Sequence, residues 1–101
     1  MEQRKAQRFE LRLPVEVIRK GSENLSEHGQ TRNMSSVGVL FEPDTGADLR
    51  IGEAVEYMIT LPASPDSVQH SPVRLHCLGK VVRLEPADGV AATLERYEFV
   101  R

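Results

Sequence analysis

The sequence predicts an all-β fold, a six-stranded antiparallel β-barrel, on three observations. Most apolar segments alternate with polar residues, whereas helical periodicity is scarce. Gly, Pro, Asn, Asp and Ser punctuate the chain between those segments. The chain has 101 residues, enough for one domain with a modest core, and closing six short strands into a barrel removes the exposed edges that an open sheet would leave.

The elements follow in order. Leu11 to Arg19 alternates, with Leu11, Leu13, Val15 and Val17 on one face, and Pro14 marks an edge strand or a strand's start. Gly21 to Glu27 reads as a polar turn, and Gly29 to Asn33 as a second strand running into Ser35-Ser36-Val37-Gly38. Val39-Leu40-Phe41 is a short third strand closed by Pro43-Asp44, after which a loop runs to the turn at Gly52-Glu53. Ala54 to Leu61 is a fourth strand, with Val55, Tyr57, Ile59 and Leu61 on one face. A Pro/Ser-rich loop leads to Val73–Leu84, where Gly79 suggests a bulge or a bend. The Asp88-Gly89 connection precedes a sixth strand over Val90–Val100, a stretch that also has some helical character. The expected organisation is one domain over 1–101, a flexible arm at 1–10 and a barrel at 11–101, with little or no C-terminal helix.

Composition excludes several function classes. Net charge is −2, which argues against a nucleic-acid polymer as ligand, since that binding rests on many neutralised phosphates. The charge is unevenly spread. Residues 1–20 hold six basic and three acidic groups, a balance of +3 that leaves −5 for the remainder. A basic arm on an acidic body suits one localised anion site. No run approaches ~18 apolar residues, so no membrane-inserted helix is expected. No apolar stretch follows Met1-Glu2-Gln3-Arg4-Lys5 as in a secretory signal. The single cysteine, Cys77, forms no internal disulfide. The cytoplasm is the simplest location.

No catalytic or metal centre is expected. His28, His70 and His76 lack zinc-ligand spacing, and the neighbours His76 and Cys77 face opposite sides of a strand. Ser35 and Ser36 have no histidine in a recognisable relation to them. The five aromatics, Phe9, Phe41, Tyr57, Tyr97 and Phe99, mostly read as core rather than as a platform for stacking bases.

Two motifs carry chemistry. Arg4-Lys5-Ala6-Gln7-Arg8 places two arginines four apart just before the first strand. A guanidinium grips a phosphate with two parallel hydrogen bonds and stacks its plane on a purine. Asn33-Met34-Ser35-Ser36-Val37-Gly38 combines a short amide, a hydroxyl and a conformationally permissive glycine in a turn that presents donors and acceptors outward.

R-x-x-x-R ahead of the first strand, then N-x-S-x-x-G between the second and third, resembles the PilZ domain family. Arg8-Phe9 followed by Leu11-Arg12-Leu13-Pro14-Val15, Gly38-Val39-Leu40-Phe41, Gly52-Glu53, and Gly79-Lys80-Val81-Val82-Arg83 extend the likeness over nearly the whole chain. The resemblance implies a bacterial receptor for cyclic di-GMP. Arg4 and Arg8 would clamp the ligand, Asn33 and Ser35 would hydrogen-bond a guanine, and Gly38 would let the backbone turn beneath it. Arg83 would add a third guanidinium, while Arg32, one residue before Asn33, would point away from it. The chain departs from the family in carrying Asn33 where Asp is commoner, a neutral acceptor that forms weaker bonds, and the helix that often follows the last strand is expected to be absent or merged into the final segment. The expected output is a contact with a downstream protein partner, from a monomer or weak dimer, with no cofactor and no reaction catalysed. The alternative is a degenerate PilZ-like interaction module that binds no nucleotide.

Overall fold

The protein is described by a computed structural model that covers residues 10–45, 48–62, 73–85 and 89–100. It is built from strands: β1 (Pro14–Lys20), β2 (Glu23–Met34), β3 (Gly38–Pro43), β4 (Ala54–Thr60), β5 (Arg74–Leu84), β6 (Val90–Thr93) and β7 (Arg96–Val100). Neighbours pair antiparallel in the order β4-β1-β2-β3-β6-β5-β7, and a β4–β5 pairing closes the first six into a barrel. The expected barrel is present, with one strand more. Among the described residues no helix is long and apolar enough to cross a membrane.

Alternation fills the interior. Val15 and Val17 of β1, Val55, Tyr57 and Ile59 of β4, and Leu75, Cys77 and Val81 of β5 point inward and join Val39, Phe41, Val90 and Ala92 in one core. Phe41 and Tyr57 stack with ring centroids 6.0 Å apart. Each buried Val, Leu, Ile or Phe side chain among them contributes roughly 1.5–3 kcal/mol by leaving water. Cys77 is fully enclosed and His76 faces out, as alternation requires. Burial pushes the Cys77 thiol up to about 12, so it is an inert apolar filler.

Two expectations change. The turn at Gly21–Glu27 shrinks to Gly21 and Ser22, because Gly21 adopts φ +57° and the chain doubles back at once. Glu23 to Glu27 continue β2 against β1 with Leu25 alone packed against the core, so the polarity of the rest hid the strand. The final segment is extended, as expected, but it is broken into β6 and β7 at Leu94 and Glu95. β6 lies between β3 and β5, whereas β7 pairs with β5 alone and runs past the barrel.

Gly79 permits that break. A Cβ there would sit 1.8 Å from the Thr93 carbonyl oxygen, so only glycine allows the two strands to cross so closely. The same carbonyl accepts a 2.9 Å hydrogen bond from the Tyr57 hydroxyl. A backbone acceptor displaced from the ladder is thereby satisfied. Burial, more than the nearby Cys77 and Glu95, holds the Tyr57 phenol protonated well above its ordinary range. The glycine marks a close approach, and the bulge expected near it lies three residues on, at Val82.

Candidate nucleotide-binding face

The motif residues sit where two bulges turn side chains outward. On β2, Thr31 opposes Phe41 and faces the core. An unbroken ladder would next set Asn33 opposite Val39, also inward. The register instead slips at Arg32, so Asn33 opposes Leu40. A one-residue slip moves a side chain to the other face of a sheet. The same happens on β5, where Val81 opposes the buried Ala92, the ladder slips at Val82, and Arg83 opposes Ala91.

Leu40 and Ala91 oppose each other and point away from the core cluster. Asn33, Leu40, Ala91 and Arg83 therefore form one row across β2, β3, β6 and β5. At a strand spacing of ~4.8 Å the row spans about 14 Å. Its middle is apolar and nearly buried, with Leu40 and Ala91 each 9% exposed. Its ends are an amide and a guanidinium.

Thr31 fixes the approach of the N-terminal segment. It is fully buried. Its hydroxyl accepts from the Leu13 amide at 2.8 Å and donates to the Leu11 carbonyl, and its own amide donates to the Leu13 carbonyl at 2.9 Å. Residues 11–13 are thereby laid along β2 just ahead of Asn33. Arg4 and Arg8 lie outside the described residues. Arg8 precedes Leu11 by three residues, a reach of at most about 10 Å.

The turn after Asn33 is closed internally. The Ser35 amide donates to the Gly38 carbonyl at 2.9 Å, and the Ser35 hydroxyl accepts from the Val37 amide at 3.2 Å. Ser35 thus shapes the turn. Gly38 is not among the glycines with positive φ and begins β3 in extended form. What it provides is room, since a Cβ there would come within 3.1 Å of the Ala92 carbonyl.

Three guanidiniums border the row, each beside a carboxylate. Arg83 meets Glu85 at 2.7 Å, while Arg12 and Arg32 approach Glu42 at 3.7 and 3.6 Å. Arg32 therefore shares the outer face with Asn33, contrary to the expectation from simple alternation, because the bulge places both opposite Leu40. These are solvent-exposed pairs of the kind worth at most ~1 kcal/mol, so an anionic ligand can displace them.

Sequence reasoning missed Thr31 and Glu42 and set Arg32 on the wrong face. Thr31 is polar on an inward position, two residues after Gly29, which is also buried. That period is the signal that could have found it. No curated protein matches the chain at a significant level. A family model, the PilZ domain, matches residues 2–99. Nearly the whole chain is covered, and the protein belongs to the PilZ domain family.

Proposed function

We propose that this chain is a bacterial, cytoplasmic receptor for cyclic di-GMP that orders its arginine arm over the ligand and signals by contact with a protein partner. PilZ domains in general are cyclic di-GMP receptors, and they are binding domains rather than enzymes. The observation that carries the reading is the pair of bulges that turn Asn33 and Arg83 onto one outer row.

The chemistry of guanine fits that row. The Asn33 side-chain oxygen accepts from the N1–H and N2–H₂ edge. The Arg83 fork donates to O6 and N7 of a guanine. Leu40 and Ala91 offer an apolar floor to a flat base. Arg4 and Arg8, delivered by the segment that Thr31 holds, supply bidentate grips on the phosphates. Closure of the arm changes the surface offered to a partner, a small case of ordering on binding.

Isothermal titration with cyclic di-GMP, with GTP as control, tests this. The expected result is micromolar or tighter binding that Arg4→Ala and Arg8→Ala each abolish while the melting temperature hardly moves. A folded sample that gives no heat would sink the receptor reading in favour of the nucleotide-independent interaction module.

A further inference from the structure

The last strand has the character of an interface. β7 ends the pairing order, bonded to β5 on one side only among the described residues. Its Tyr97 and Phe99 oppose Cys77 and Leu75, so they continue the core-facing side of the sheet. Yet they are 57% and 65% exposed. The two rings meet edge to face with centroids 6.4 Å apart, a preformed aromatic pair beside an open edge. Paired aromatics next to unpaired backbone groups favour another strand.

The charges say which strand. Open edges are commonly blunted with charge, but charges of one sign are what repel a second copy. Here the edge reads Arg96-Tyr97-Glu98. Laid antiparallel on itself about Tyr97, it sets Arg96 against the second copy's Glu98 and Glu98 against the second copy's Arg96. The same register puts the Tyr97 rings opposite each other and keeps all four aromatic rings on one side of the joined sheet. Centring on Glu98 instead would oppose two carboxylates, which is unfavourable.

We propose that β7 is a self-pairing edge through which two copies join into a continuous antiparallel sheet by a two-fold axis at Tyr97. The strand has five residues. So short an interface is expected to be weak and reversible. The proposal does not rest on nucleotide binding and is tested without ligand.

Sedimentation velocity of the full chain over a concentration series provides the test. The wild type is expected to pass from monomer to dimer. Arg96→Glu and Glu98→Arg should each be monomeric, since each makes the edge like-charged. An equimolar mixture of those two variants should dimerise, because every pair across the edge is again opposite, and the double variant R96E/E98R should dimerise alone. The mixture keeps the test sound if one variant is less stable. A wild type still monomeric at about 1 mM would overturn the proposal and leave the edge to a strand of another protein. A dimer indifferent to both single changes would overturn it equally.

Discussion

Two exposed surfaces of this barrel differ in what they leave unpaired. The middle of the row from Asn33 to Arg83, Leu40 and Ala91, lies on strands paired on both sides and is nearly buried, and polar groups stand at the row's ends. The β7 edge leaves backbone groups open among the described residues and displays aromatic rings between opposite charges in the sequence. The first suits a small flat anion, whose own hydrogen bonds supply the specificity. The second suits a strand, whose backbone supplies it. Both arise from register breaks. The slips at Arg32 and Val82 turn side chains outward, and the break at Leu94 and Glu95 carries the chain off the barrel. The Leu94 amide donates to the Val37 carbonyl at 2.9 Å, so the break is tied to the turn that closes the motif.

The change with the largest expected effect breaks the element on which the β6–β7 break depends. Gly79→Ala drives a methyl into the Thr93 carbonyl and should cost about 3 kcal/mol or more. Thermal or denaturant unfolding would show this, and an unaltered midpoint would mean that the crossing is looser than described. Thr31→Val comes next. It strands the Leu13 amide and the Leu11 carbonyl and should cost roughly 1–3 kcal/mol. It should also weaken cyclic di-GMP binding, because the arm loses its anchor.

Asn33→Ala separates the two surfaces. It should weaken nucleotide binding about tenfold, the equivalent of ~1.4 kcal/mol, while leaving unfolding and self-association unchanged. An equal loss of both functions would mean that the row and the edge are one site.

The smallest effect concerns pH. His76 lies on the outer face between Glu56 and Glu98, where it ties β5 to β4 and β7, and Arg19 also approaches Glu56 at 3.7 Å. Hydrogen bonding to Glu56 chiefly, then to Glu98, raises its pKa above 6.5 against a lesser opposing effect of burial. A raised folded-state value means that the stabilisation is complete below the unfolded value and is lost as pH rises through the folded one. Melting temperature should therefore fall modestly as pH rises from 6.5 through that value, and His76→Gln should flatten the slope. An equally steep slope in the variant would remove His76 as its source.

Much of the fold could be read from the sequence because the core follows simple period two. Val55, Tyr57 and Ile59 face inward as their alternation says, and Pro14 opens β1. What failed did so for local reasons. A bulge inserts one residue and inverts the parity beyond it, so alternation assigned Arg32 to the wrong face. Tyr97 and Phe99 alternate like core residues, but β7 extends past the strands that would cover them. The motif fixed the neighbourhood of Asn33, Ser35 and Gly38. Their register with Leu40, Ala91 and Arg83 depends on pairings among residues far apart in the chain, which no local pattern carries.

The most direct test of the account is an amide NMR titration of the wild-type protein with cyclic di-GMP. Shift changes are expected to concentrate on Asn33 to Gly38, Leu40, Arg83 and Ala91, together with residues of the N-terminal arm. Saturating ligand that shifts no resonance, or only those of β4 and β7, would contradict it.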